Sequence, residues 1–338
     1  MVFFFIKLGV CMDLKNKKVL VTGAGGFIGS HLVERLLALK ADASCFVRYN
    51  SFNRWGFLEG MPEKNSLKII AGDLKDSDAV RKAVKGQEVV FHLAAAVSIP
   101  HSYEFPREHL QTNVIGTFNL LNACREYNVK KIVHVSSSEV YGTAVEVPIK
   151  ESHPLQGQSP YSASKIAADK LAESFYLSFD LPVAVARPFN TFGPRQSARA
   201  IIPTIITQAL AENKMKIGND KPTRDFNYVS NTVDALIETS KSDKSVGEVI
   251  NFGSGVETSI RNLANEIISL LGKDVKIFQD KERFRPDKSE VFRLVADNAK
   301  ARKLLGWKPK ISLKEGLSRT IEWISSNLDL YKANLYNK

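Results

Sequence analysis

Cysteine is scarce in this chain. Cys11, Cys45 and Cys124 stand far apart among 338 residues, which excludes a disulfide framework and a paired metal-ligand spacing. Isolated thiols of this kind suit a reducing compartment. Long apolar runs are missing too. Met1–Cys11 (MVFFFIKLGVC) is apolar, but Lys7 interrupts it, and it is far too short to cross a bilayer. It has neither a basic leader nor a small-residue cleavage site. We read residues 1–11 as a loose tail or a mis-assigned start, with Met12 as the natural one. No later segment reaches spanning length, so a soluble, cytoplasmic protein without membrane contact is expected. Repeats, low-complexity tracts and flexible linkers are also absent, which excludes solenoid, fibrous and disordered classes. Acidic residues are outnumbered, 36 Asp plus Glu against 47 Lys plus Arg, for a net charge of +11. The basic residues are scattered apart from short clusters such as Lys15-Asn16-Lys17-Lys18. No basic stripe with interleaved aromatics or nucleic-acid motif accompanies them, so nucleic acid is not expected as a partner. A few arginines reserved for the phosphates of a small molecule fit better.

What the chain does contain is alternation. Lys18–Thr22, Ala43–Val47, Leu67–Ala71, Glu88–Leu93, Lys131–Val135 and Val183–Arg187 read as strands, being short apolar runs rich in β-branched residues. Helical spacing separates them, with Ile28, Leu32, Leu36 and Leu39 marking the first helix and with longer helical stretches at Glu108–Tyr127 and Tyr161–Phe179. Nearly continuous apolar strands alternating with helices predict a doubly wound parallel sheet covered on both faces. After Arg187 the pattern changes, and a smaller C-terminal α/β substrate lobe is expected. The boundaries read as 12–188 plus about 226–253 for the sheet domain, and 189–225 with 254–330 for the lobe.

The segment Thr22-Gly23-Ala24-Gly25-Gly26-Phe27-Ile28-Gly29 follows the first strand and opens the first helix. Gly23, Gly26 and Gly29 permit a tight turn, close approach of backbone to a pyrophosphate, and close helix–strand packing. The helix start at Phe27 and Ile28 then offers free N–H groups to phosphates. This makes the sheet Rossmann-type, with NAD or NADP as cofactor. At the end of the second strand, where an acid ordinarily holds the ribose 2′-hydroxyl, stands Arg48. An arginine suits a 2′-phosphate, stacking on adenine, or an exposed strand end equally. Asp73 and Leu74 follow the third strand toward the adenine, and Leu93, Ala94 and Ala95 follow the fourth toward the phosphates and ribose.

Ser136-Ser137-Ser138-Glu139 follows the fifth strand, and Tyr161-Ser162-Ala163-Ser164-Lys165 opens a helix. One helical turn separates Tyr161 from Lys165, so the two side chains share a face. A nearby ammonium favours tyrosinate over a phenol of reference pKa about 10, which would make Tyr161 a usable base. Ser137 can hydrogen-bond the same substrate oxygen.

With these motifs the chain resembles the extended short-chain dehydrogenase/reductases, the NAD-dependent epimerase/dehydratase family. The resemblance spans about residues 17–325 and rests on TGAGGFIG (22–29), HLAA (92–95), SSSEVYG (136–142), YSASK (161–165), RPFNTFGP (187–194) and RDFNYV (224–229). It implies a nucleotide-sugar substrate, a cofactor that is regenerated each turnover and stays bound, and a catalytic set of Ser137, Ser138, Glu139, Tyr161 and Lys165. It assigns Asn190, Arg199, Arg224 and Arg285 to the nucleotide diphosphate and sugar. Nucleotide-sugar 4,6-dehydratases carry Thr-Asp-Glu where this chain has Ser137-Ser138-Glu139, so the Glu is kept and the Asp is replaced. RYNSFNRWGFLE (48–59) and RPFNTFGPRQSARAIIPTII (187–206) look most like 4,6-dehydratases of UDP- or GDP-linked N-acetylglucosamine in nonulosonic-acid (legionaminic-type) pathways. RYNSFN is also similar to GDP-mannose dehydratases that use NADP. A 4-epimerase is the alternative, with a uronic-acid decarboxylase or a non-catalytic cofactor-binding protein further behind. The family's four-helix interface implies a homodimer through helices 108–127 and 161–179, with Leu120, Leu121, Leu171 and Phe175 read as apolar residues beyond one core-facing stripe.

Overall fold

The computed structural model describes residues 12–332; the expectation about residues 1–11 lies outside them. Seven parallel strands form one sheet: β1 (Lys18–Thr22), β2 (Asp42–Arg48), β3 (Lys68–Gly72), β4 (Val89–His92), β5 (Lys131–Val135), β6 (Val183–Pro188) and an edge strand, Val249–Phe252. Their spatial order is edge strand, β6, β5, β4, β1, β2, β3. The first six lie within a residue or two of their expected positions. The edge strand has only four residues, VINF, and pairs with β6 from Val249↔Val185 to Phe252↔Pro188. So short a run has no periodicity of its own, and only its partner defines it.

Residues alternate across the strands as the pleat requires. Val19 and Val21 join one core layer with Leu32, Leu36, Phe91 and Val133. Leu20 joins the opposite layer with Val90, Ile132, Leu120 and Phe175. A third cluster, including Val140, Tyr141, Ile149, Phe189 and Leu294, lies under the loops at the carboxyl ends of β5 and β6. The chain order reverses between β1 and β4, and in open α/β sheets a crevice opens at such a reversal, outside the carboxyl ends of the strands.

The first helix, α1 (Phe27–Ala38), buries Gly29, Ser30, Leu32, Val33 and Leu36. The stretch expected at 108–127 is helical from Pro106 to Glu126, but Leu110–Ile115 is a π-helical segment between two α-helical ones. The next long helix runs Pro160–Phe179. Ser159 caps it in a capping box with Ser162, and Pro160 at its start sets the helical φ without wasting a backbone donor. The expected dimer residues need correction. Leu120, Leu121 and Phe175 are 1%, 1% and 5% exposed, and Leu171 packs against the same core layer. These two helices press against each other and the sheet, so residues that looked surplus on one helix face the other.

Beyond β6 the chain adds helices Ile201–Ala211, Val229–Lys241, Ile260–Leu271 and Leu313–Ser326, with three two-stranded ribbons. Ile205, Leu263 and Leu317 continue the core layer that contains α1. Among the described residues no helix is long and apolar enough to cross a membrane.

Leu32 is fully buried between α1 and the sheet. Leu32→Ala should lower the unfolding free energy by about 2–5 kcal/mol in a urea titration. A loss under about 1 kcal/mol would mean that α1 is not anchored through this face.

Candidate active site

A cavity of about 920 Å³ follows the crevice from the glycine loop at one end to Glu139, Tyr161 and Asn190 at the other. That is near the top of the roughly 300–1,000 Å³ range of small-molecule sites. The glycine loop is closed on itself. Gly23 has φ +70°, and a Cβ there would stand 2.9 Å from the Ala94 backbone. A Cβ on Gly29 would collide with the Gly23 carbonyl. No side chain caps α1 at Gly26, and no acid stands in its first turn. The positive end of the helix, at Phe27, Ile28 and Gly29, therefore borders the cavity ready for a pyrophosphate. This cradle fits a nicotinamide dinucleotide.

A buried chain of polar contacts fixes the wall beside the glycine loop. Thr22 Oγ1 accepts from the Ala94 N–H at 3.1 Å and lies 2.9 Å from His92 Nδ1. His92 Nε2 meets Thr117 Oγ1 at 3.0 Å. Burial, with the His134 and Lys165 charges adding to it, holds His92 well below the usual imidazole range, so it is neutral. These contacts place Leu93, Ala94 and Ala95 along the cavity wall. Asp73 and Leu74 also line the cavity, and Asp73 accepts the Lys75 N–H at 2.9 Å. Arg48 stands at the rim, its side chain 77% exposed and its Nη1 3.9 Å from Glu108.

At the other end, Ser137 caps a short turn, Ser138–Tyr141, and its Oγ accepts the Glu139 N–H at 3.2 Å. Ser137, Ser138, Glu139, Tyr161 and Lys165 all line the cavity. The electrostatics differ from the expectation. Burial pushes the Tyr161 phenol up to about 12, and the Glu139 and Asp169 charges add to this while the Ser137 hydrogen bond opposes it. Lys165 Nζ donates to the Val135 carbonyl at 2.7 Å. Burial brings Lys165 down to about 8 against the pull of Asp169. Tyr161 is therefore a phenol in this state, because desolvation outweighs any help from the ammonium one turn away.

Of the four residues expected to hold the substrate, Asn190, Arg199 and Arg285 line the cavity. Arg285 Nη1 stands 4.0 Å from Glu139 and 3.8 Å from Glu290. Arg224 is buried behind this wall, 3.9 Å from Glu290, and its Nη1 donates to its neighbour's carbonyl at 2.9 Å. Arg199 lies exposed at the rim. Three buried polar atoms in the wall have no hydrogen-bond partner: Asn190 Oδ1, Gln196 Oε1 and Arg285 Nη1. Leaving such groups unmet is costly, so they mark where a polar ligand would bond. Gln196 was not anticipated. Its Nε2 donates to the Thr191 carbonyl at 2.8 Å, which fixes its Oε1 as an acceptor. Also unanticipated was Asp169, one turn beyond Lys165, although the same spacing rule that joined Tyr161 to Lys165 reaches it.

These features define a dinucleotide-dependent enzyme of the Rossmann class, and similarity to known proteins narrows the class. The family model for GDP-mannose 4,6 dehydratase matches residues 20–320. A UDP-glucose 4-epimerase of Mycolicibacterium smegmatis is 36% identical over 315 residues, 90% of this chain and 98% of that protein. The human dTDP-D-glucose 4,6-dehydratase is 32% identical over 330 residues, 94% of this chain and 92% of that protein. The crystal structure of DesIV, a dTDP-glucose 4,6-dehydratase from Streptomyces venezuelae with NAD and TYD bound, superposes with a TM-score of 0.83 at 28% identity, covering 93% of this chain and 98% of that one. The chain belongs to the NAD-dependent epimerase/dehydratase family.

If Arg48 meets a 2′-phosphate, Arg48→Asp should weaken NADP binding at least about tenfold more than NAD binding by calorimetry, as loss of a charge-assisted contact predicts. Equal weakening of both would make Arg48 a strand-end charge only.

Proposed function

We propose that this enzyme is a 4,6-dehydratase of UDP- or GDP-linked N-acetylglucosamine, working in the cytoplasm for surface-glycan or nonulosonic-acid synthesis. The observation that carries this reading is Glu139, a carboxylate 9% exposed in the same cavity wall as Tyr161. Oxidation at C4 needs no such group, whereas elimination across C5 and C6 does. The N-acetylglucosamine choice is supported by the resemblance carried by residues 48–59 and 187–206. The segments 189–225 and 254–330 supply the nucleotide-sugar lobe in this reading, with Asn190, Arg285 and Arg199 toward the substrate and Arg224 supporting Arg285.

Held at the glycine loop by Gly23, Gly26, Phe27, Ile28 and Gly29, a nicotinamide dinucleotide would supply the hydride acceptor for C4 of the sugar and the hydride donor for C6. Tyr161, held by Ser137, acts as tyrosinate after losing its own proton to solvent, and then takes the proton of the 4-hydroxyl. The resulting ketone acidifies the hydrogen at C5, which Glu139 removes. Glu139 also hands a proton to the departing C6 oxygen, which leaves as water, since Ser138 stands where related dehydratases carry an acid; a solvent-derived proton then adds at C5 as hydride adds at C6. A water held by Ser138 is the other proton source. A positioned acid or base contributes about 10²–10⁴-fold.

The second reading is a 4-epimerase. It is favoured by Ser138 and by the 36% identity to a UDP-glucose 4-epimerase. Glu139→Gln separates the two. In a dehydratase this variant should still form reduced cofactor and exchange H4, yet take up no solvent deuterium at C5, with turnover down about 10²-fold or more. Tyr161→Phe should abolish the first hydride transfer as well. Near wild-type turnover in Glu139→Gln would assign Glu139 to structure and the enzyme to epimerases.

We also infer a homodimer through the helical face at 106–126 and 160–179. Its support is an exposed apolar set, Leu110, Ile115, Phe118, Leu177 and Phe179, each at least 42% exposed. Such a patch on a soluble chain marks an interaction site. Light scattering at micromolar concentration should give twice the chain mass, and a monomer there would refute this.

A further inference from the structure

The arginine at the end of β2 has a partner on the other side of the glycine loop. Arg48 Nη1 stands 3.9 Å from Glu108 Oε1, and both residues line the cavity. In the sheet, β1 lies between β4 and β2. Arg48 ends β2, and Glu108 lies on the helical stretch that follows β4. The pair therefore spans the carboxyl end of β1, where the glycine loop presents its N–H groups to a pyrophosphate.

Glu108 is the fixed member of this pair. Further along the same helical stretch, Asn113 accepts the Ala96 N–H at 2.8 Å and donates to the Ala96 carbonyl at 3.0 Å and to Ser164 Oγ at 2.9 Å. These bonds tie the helix to the loop after β4 and to the catalytic helix. The second carboxylate oxygen of Glu108 stands 3.8 Å from His101 Nε2, and His101 Nδ1 stands 3.3 Å from Nε2 of the buried His109. Arg48 is the mobile member, since its side chain is 77% exposed. So open an ion pair adds little to stability. Its consequence is the charge that it sets beside the cofactor.

Sites that take NAD hold the ribose 2′-hydroxyl with an acid at the end of β2. Here β2 ends in Arg48, and a carboxylate reaches that arginine from the opposite wall. A ribose hydroxyl can donate a hydrogen bond to a carboxylate. A 2′-phosphate carries about two negative charges and only acceptor oxygens near neutral pH. Bound to Arg48 where it stands, such a phosphate would lie beside Glu108. If Arg48 swings away to meet it, Glu108 loses its cation and still faces the groove. Both arrangements set the phosphate against a carboxylate. We propose that Glu108 is the specificity-determining residue for the cofactor: from the helix after β4 it supplies the acid that β2 lacks, so that the enzyme takes NAD and rejects NADP. The proposal does not rest on which sugar is turned over or on what Glu139 does.

The test is a competition on the full-length holoenzyme without sugar, so its outcome is independent of turnover. The enzyme is incubated with equal concentrations of NAD and NADP until the bound ratio no longer changes. Free cofactor is then removed by gel filtration, and the bound NAD and NADP are counted by mass spectrometry. Wild type should hold NAD over NADP by about fivefold or more, the ratio that a single pair of like charges about 4 Å apart in water produces. Glu108→Gln keeps the shape and removes the charge, and it should move the ratio at least about fivefold toward NADP. Glu108→Lys reverses the charge and should move it further. Wild-type enzyme loaded mainly with NADP would overturn the proposal. So would a ratio that both variants leave unchanged, which would make Glu108 a rim charge without a part in cofactor choice.

Discussion

Everything at this site hangs on one constraint of parallel sheets: consecutive strands cannot be joined by hairpins, so each must be followed by a long excursion to the far end. The carboxyl ends of the strands are therefore where irregular backbone gathers. Here the glycine loop follows β1, Arg48 ends β2, Asp73 follows β3, Leu93–Ala95 follow β4, Ser137–Glu139 follow β5 and Asn190 follows β6. The order reversal between β1 and β4 parts the helices at that edge and leaves the cavity between two sets of loops. Residues more than a hundred positions apart meet because the strands that carry them are neighbours.

The second constraint is the cost of charge in a dry interior. The sheet core is mainly apolar, yet it also buries Lys165, Asp169, Arg187, His92 and His134. Most of their polar atoms are met: Asp169 Oδ2 takes two bonds from Arg187 and one from Ser136, and Lys165 gives one to a strand carbonyl, while Asp169 Oδ1 and the His134 ring nitrogens have no hydrogen bond. Removing one partner of such a set leaves an uncompensated buried ion, which costs far more than the pair is worth. By contrast, Asn190, Gln196 and Arg285 carry polar atoms left open toward the cavity. Asn190, Gln196 and Arg285 line the cavity, where a polar ligand would complete their bonding.

Local chemistry was legible in the sequence, and tertiary chemistry was not. The glycine loop, the Ser137-Tyr161-Lys165 set and six strands could be read because each depends on spacing within one element or one turn. The edge strand Val249–Phe252 escaped because four residues acquire their identity only from β6. The expected dimer residues Leu120, Leu121 and Phe175 were misassigned because a helix packed on both a sheet and another helix has two buried faces. The ionisation of Tyr161 was misjudged for a similar reason: proximity to Lys165 is visible in the spacing, whereas desolvation is not. Asp169 shows the reverse case, where the spacing was present and its importance lay in Arg187 and His134, which only the fold brings near.

The central claim is that a cofactor cradle and a buried carboxylate cooperate on one nucleotide-sugar to remove water from it. Mass spectrometry of the products from a panel of UDP- and GDP-linked sugars tests this most directly. UDP- or GDP-N-acetylglucosamine should be converted to a species lighter by one water, a 4-keto-6-deoxy sugar, with no net consumption of nicotinamide. A product of unchanged mass, differing only in configuration at C4, would contradict it.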